Sequence, residues 1–78
     1  MIITVKLLIT FEKYLPPGSS ESKCEFEVPV GSKATDVLAI FNVPIDEAVI
    51  LVNGRTPSND ESLQPGDVLC AFPVAAGG

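Results

Sequence analysis

Apolar and polar residues alternate near the start of the chain, and the stretch IITVKLLITF is rich in β-branched residues. This pattern predicts a first strand. Alternation returns in KCEFEVPV, where Cys24, Phe26 and Val28 point one way and Glu25 and Glu27 the other, as in a half-buried second strand. Between them YLPPGSSES, with Pro16, Pro17, Gly18 and three serines, reads as a loop. The two strands are expected to form an antiparallel hairpin with a long, mobile connection.

The period then changes. In VGSKATDVLAIFNVP the apolar residues Ala34, Val37, Leu38 and Phe41 fall at i, i+3, i+4 and i+7, which is one face of a helix. Ser32 or Lys33 opens it, and Ser32 is chemically the better cap. Asp36 lies in the first turn, where the helix dipole favours negative charge. Asn42 and Pro44 close the helix after two to three turns, so packing rather than propensity must hold it. EAVILVNGRTP predicts a buried strand from Val49 to Val52, ended by Asn53-Gly54, the pair a type I′ hairpin turn prefers. Arg55 and Thr56 begin a short return. Leu63 reads as an apolar plug in a polar loop, and Pro65-Gly66 fits a type II turn. The last strand, DVLCAFPV, is apolar on both faces and is expected to be central and buried.

The predicted order is strand, strand, helix, strand, short strand, strand. One helix covers one face of a sheet, so the expectation is an α+β fold of two layers, a mixed four- to five-stranded sheet packed on one main helix. The first and last strands, the most apolar, should lie side by side and parallel in the middle. Residues 1–74 then form one domain, and residues 75–78 a flexible C-terminal tail.

Composition narrows what such a domain does. A chain of 78 residues buries only about 60–65% of its unfolded surface, too little for both a core and a deep internal active site. Apolar residues make up 46% of it, too many for a disordered chain. No apolar run approaches the ~20 residues of a membrane helix, and the start lacks the basic region and cleavage site of a signal peptide. A cytoplasmic protein without membrane contact is the expectation. Ten acids against five bases give a net charge of −5, which argues against nucleic acid as a partner. It suits a basic protein partner, and an acidic surface also serves solubility alone.

Side-chain chemistry is thin. There is no histidine, hence no imidazole base for a serine or cysteine nucleophile. Cys24 and Cys70 are far apart and in no CxxC, so free, partly buried thiols are expected rather than a disulfide or a metal site. No phosphate-cradling glycine loop is present. The acid pairs Asp46-Glu47 and Asp60-Glu61 read as solvated turn charges, as does Arg55. No bound cofactor is implied.

The end of the sequence is different. Val74-Ala75-Ala76-Gly77-Gly78 carries side chains that shrink toward its end and spans roughly 17 Å when extended, at ~3.4 Å per residue. Such a strip threads a channel that a branched side chain blocks. The Gly78 carboxylate is ionised at neutral pH and a poor electrophile. Activated as an acyl phosphate anhydride it becomes a good one. The tail is shaped to deliver its terminus into another protein's active site, and Ala75 to Gly78 should be disordered in the isolated protein.

The opening strand, VPVGSKATDVL, ILVNGR and LQPGDVLCAFPVAAGG together resemble the ubiquitin-like β-grasp sulfur carriers of the MoaD/ThiS group, along essentially the whole chain. The resemblance implies that an E1-like adenylating enzyme uses ATP to activate Gly78, that a thiocarboxylate follows, and that the chain acts as carrier or small synthase subunit rather than as enzyme. Gly77 and Gly78 take the place of the family's diglycine. Phe72 and Pro73 stand where the molybdopterin synthase small subunits carry a partner-facing aromatic and a proline, and Ala75 and Ala76 would follow into the partner. Ile9 is expected beside Phe72. The sulfur-accepting partner is then the large subunit of a molybdopterin synthase or, as the alternative, thiazole synthase of the thiamine pathway. The FP pair, the YLP after the first strand and the chain length point to the former, whereas FPV in place of FPPV departs from it. The free form is expected to be a monomer. Two other readings use the same sequence: a non-catalytic β-grasp interaction module, and a ubiquitin-like modifier joined to lysines.

Overall fold

The computed structural model describes residues 1–19 and 22–74. Four strands form one mixed sheet: β1 (Ile2–Leu7), β2 (Lys23–Glu27), β3 (Ala48–Val52) and β4 (Val68–Pro73), in the order β2-β1-β4-β3. β1 pairs antiparallel with β2, Ile3 against Phe26 and Val5 against Cys24. It pairs parallel with β4, from Thr4 against Val68 to Leu7 against Ala71. β3 closes the other side, antiparallel to β4. The first and last strands thus meet in the centre, as their apolar character predicts. One helix, α1 (Ala34–Ile40), lies on one face.

Period-two alternation assigns the two faces. Ile3, Val5 and Leu7 of β1 and Leu69 and Ala71 of β4 are buried against Ala34, Val37, Leu38 and Phe41 of the helical stripe. Each large aliphatic side chain buried this way contributes about 1.5–3 kcal/mol. Phe26 meets Phe41 edge to face at 5.0 Å between ring centres, fastening β2 to the end of α1. Leu63 is buried, as a plug should be. Among the described residues no charged or polar side chain is buried in the core.

Both helix ends are set by identifiable bonds. The N-cap is Lys33, not Ser32. The Ser32 hydroxyl donates instead to the Pro29 carbonyl (2.7 Å), and the Asp36 carboxylate accepts the Lys33 amide (3.1 Å). Lysine has no acceptor, so only this return half of a capping box can form. At the other end Val43 N–H donates to the Leu38 carbonyl (3.0 Å) and Asn42 N–H to that of Ala39 (3.1 Å), with Asn42 at φ +64°. This is a Schellman motif with asparagine in the left-handed position, and buried Val43 packs where its apolar contact belongs.

Three expectations need correction. The first strand ends at Leu7; from Ile9 to Tyr14 the chain winds into a 3-10 turn that puts Phe11 in the core. β3 is an edge strand and only Val52 is buried in it. Its unbroken apolar run is shared between two faces rather than sealed. Arg55 and Thr56 form no strand; Arg55 makes a single bridge to Val52, so the sheet has four strands among the described residues. The turns are as read: Asn53 and Gly54 both have positive φ (53° and 84°), and Asp67 N–H reaches back to Gln64 (3.1 Å) across Pro65-Gly66, with Gly66 at φ +84°.

Leu38→Ala should cost about 2–5 kcal/mol in chemical denaturation, since Leu38 is fully buried. Asn42→Gly should be near neutral, whereas Asn42→Val should destabilise by ~1 kcal/mol or more, because a β-branched residue resists positive φ.

Candidate functional site

The sheet face turned away from α1 carries the side chains that alternate with the core. On β4 these are Val68, Cys70 and Phe72, and on β3 Val49 and Leu51, with Val49 opposite Phe72 and Leu51 opposite Cys70. All five are half-buried. Leu8, still extended at φ −108° and ψ 161°, prolongs the same face past β1. Lys6 stands beside Cys70 in the parallel register, so one positive charge sits within this apolar field. Toward β2 the face becomes polar, with Lys23, Glu25 and Glu27 exposed.

β4 delivers the chain to one end of this face. Val74 N–H donates to the Glu47 carbonyl (2.8 Å), the last bond holding the described chain to the sheet. Phe72 and Pro73 are half-buried and Val74 is exposed. Leu8 N–H donates to the Ala71 carbonyl (3.0 Å), which brings Ile9 to the same end. Ile9 is 68% exposed and has φ +58°, an outlier for a β-branched residue. The sequence-predicted residues Phe72, Pro73 and Ile9 therefore lie together around the exit of β4. Ala75, Ala76, Gly77 and Gly78, and with them the expected disorder of the tail, lie outside the described residues.

The wider apolar face was missed residue by residue, because Val49 to Val52 and the last strand read as buried. A signal was present. Two strands apolar on both faces, with one helix to cover them, leave one apolar face open.

The thiols occupy opposite sides of the sheet. Cys24 is level with buried Val5, and Val5 with buried Leu69, so Cys24 is on the helix side. Cys70 alternates with Leu69 and is on the open side. Both are free. Burial pushes each thiol above its ordinary range, opposed at Cys24 by a hydrogen bond with Ser19 and at Cys70 by the charge of Lys6. They are protonated and weakly nucleophilic at neutral pH. On the far side of the β3 turn, Arg55 grips Glu61 with both guanidinium nitrogens, one bond measuring 2.9 Å, and Ser58 N–H donates to the same carboxylate (3.2 Å). These bonds hold Glu61 below the ordinary glutamate range. Arg55 is thus committed to shaping a loop. Among the described residues no cluster of His, Cys, Asp or Glu could hold a metal ion, and no helix is long and apolar enough to cross a membrane.

A mixed sheet with its end strands paired centrally and one helix across it is the ubiquitin-like β-grasp. Solved structures with this arrangement include SAMP1 from Haloferax volcanii, 19% identical, TM-score 0.73, covering 100% of both chains. They include the putative molybdopterin converting factor subunit 1 from Pyrococcus furiosus, 25% identical, TM-score 0.72, covering 95% of this chain and 98% of that one. They also include the complex of subunits 1 and 2 of the molybdopterin-converting factor from Helicobacter pylori, at 18% identity and TM-score 0.63 over 100% of each matched chain. No family model and no curated protein matches the chain. These neighbours share the ubiquitin-like β-grasp fold expected from the sequence, and the chain has that fold.

Mild oxidation should produce no disulfide within one chain, since the sheet separates Cys24 from Cys70; any disulfide on a non-reducing gel should join two chains. Glu61→Gln should lower the melting temperature at neutral pH. That deficit should close as pH falls through the lowered pKa of Glu61, where the wild-type carboxylate loses its charge as well.

Proposed function

We propose that this protein is a sulfur carrier whose C-terminal Gly78 is the reactive residue. The observation that carries the reading is the exit of the central strand β4, through Phe72-Pro73-Val74, directly into Ala75-Ala76-Gly77-Gly78 beside an open apolar face. An open apolar surface and a thin terminal strip suit a protein substrate of another enzyme.

The chemistry runs as follows. An E1-like adenylating partner, which uses ATP, lets the Gly78 carboxylate attack the α-phosphate and releases pyrophosphate. The acyl adenylate is the electrophile that the free carboxylate is not. A sulfide-equivalent nucleophile then displaces AMP and leaves a thiocarboxylate. That sulfur passes to an acceptor in a second partner, and hydrolysis returns the carboxylate. The carrier supplies no side-chain catalyst in this scheme. It supplies the terminus, and Phe72, Pro73, Ile9, Ala75, Ala76 and Gly77 position it. The second partner is the large subunit of a molybdopterin synthase, a reading supported by the subunit 1 and 2 complex among the similar structures. Thiazole synthase is the alternative acceptor.

Intact mass of the protein isolated with its native terminus should show one terminal oxygen replaced by sulfur. Incubation with ATP, the adenylating partner and a sulfur source should raise that fraction. Deleting Gly78, or adding one residue after it, should abolish transfer and leave the melting temperature unchanged. A deletion variant that still transfers sulfur would sink the proposal.

A further inference from the structure

β3 lies at the sheet edge, and its outer side is not closed. Asn53 N–H bonds the Val68 carbonyl and Val74 N–H the Glu47 carbonyl, both at 2.8 Å. Bonded residues alternate along an antiparallel ladder. Glu47, Val49, Leu51 and Asn53 therefore face β4, and Ala48, Ile50 and Val52 face outward. Val52 is closed off by reciprocal bonds with Arg55 (2.8 and 3.1 Å), and the Ala48 amide bonds the Ile45 carbonyl. Among the described residues this leaves the N–H and C=O of Ile50 and the C=O of Ala48 without a protein partner. One residue presenting both groups outward is the unit that an added antiparallel strand engages.

A groove of about 230 Å³ runs along this edge, with Ala48 and Ile50 on one side and Ala34, Thr35, Thr56 and Pro57 among its walls. Its lining holds the charged residues Lys33 and Glu61, and residues neighbouring the lining in sequence add Asp36, Asp46, Glu47 and Asp60 against Arg55, a net −3 of the chain's −5. Arg55 is already engaged by Glu61. The opposite edge differs: Pro16, Pro17, Gly18 and Ser19 flank β2 at Lys23 to Glu25.

We propose that the β3 edge takes an extended, basic peptide segment of a partner protein, added antiparallel as a fifth strand centred on Ile50. Main-chain bonds at Ile50 hold it, alternate small apolar side chains enter the groove, and flanking Lys or Arg residues meet the surrounding carboxylates. The site is separate from the tail and does not depend on the carrier reading; protein lacking Gly77 and Gly78 should bind equally well.

The test is an NMR titration of isotope-labelled protein with the synthetic peptide Lys-Arg-Val-Thr-Val-Thr-Val-Arg-Lys. Shifts should centre on β3 and the groove, and exchange of the Ile50 amide should slow. Added salt should weaken binding, and a peptide with glutamate in place of its basic residues should not bind. Ile50→Pro should cost about tenfold in affinity, the worth of one net hydrogen bond. Should that variant fail to fold, the double variant Asp46→Asn, Glu47→Gln should still weaken the basic peptide, since neither side chain holds the fold. Absence of shifts, shifts on β2 or the open face, or binding indifferent to salt would overturn the proposal. So would concentration-dependent slowing of the Ile50 amide without peptide, which would give the edge to a second copy of the chain.

Discussion

β1 and β4 lie side by side and parallel at the centre of the sheet, although they come from opposite ends of the sequence. The pairing closes a loop that contains every other element, at an entropy cost that grows only slowly with its length. Leu7 and Ala71, Val5 and Leu69 repay it by burying a continuous seam under α1. Because β4 is central, the described chain ends next to a strand paired on both sides. The Val74 amide is still bonded to Glu47 one residue beyond β4.

One helix of two turns cannot cover both faces of four strands. The sheet therefore resolves into a sealed side and an open side, and the open side keeps Val49, Leu51, Val68 and Phe72 half-buried. In so small a domain this is a compromise between sheet stability, which favours β-branched and aromatic residues on both faces, and solubility. The acidic surface offsets it. Glu25 and Glu27 border the open face, and further carboxylates surround the β3 edge.

Most of this architecture was legible because its signals are local. The helical stripe Ala34, Val37, Leu38 and Phe41, the Asn53-Gly54 and Pro65-Gly66 turns and the alternation of Cys24, Phe26 and Val28 each follow from neighbouring residues. Part of what was missed depends on partners distant in sequence. Whether β3 is edge or centre is decided by whether another strand lies outside it, which the run AVILV does not encode. The cap at Lys33 rather than Ser32 turns on Asp36 accepting the Lys33 amide while Ser32 bonds Pro29. Of the candidate site, the structure places Phe72, Pro73 and Ile9 at the end of β4, whereas Val49, Leu51, Val68 and Cys70 beside them carry the same apolar pattern as core strands.

Ile9 shows how the fold and the site are joined. Its φ of +58° costs about 1–2 kcal/mol for an ordinary side chain and more for a β-branched one. The bond from Leu8 N–H to Ala71 fixes the residue before it, and burial of Phe11, whose amide bonds the Leu8 carbonyl (3.1 Å), fixes the turn after it. The chain must reverse between these anchors, and Ile9 absorbs the reversal. Glycine or asparagine would do so with less strain. An isoleucine there serves neither the core, since it is 68% exposed, nor the backbone. Its exposed side chain stands at the end of the sheet where Leu8 bonds Ala71, the residue before Phe72. Strain held at an exposed residue in this way supports the positioning role proposed above for Ile9.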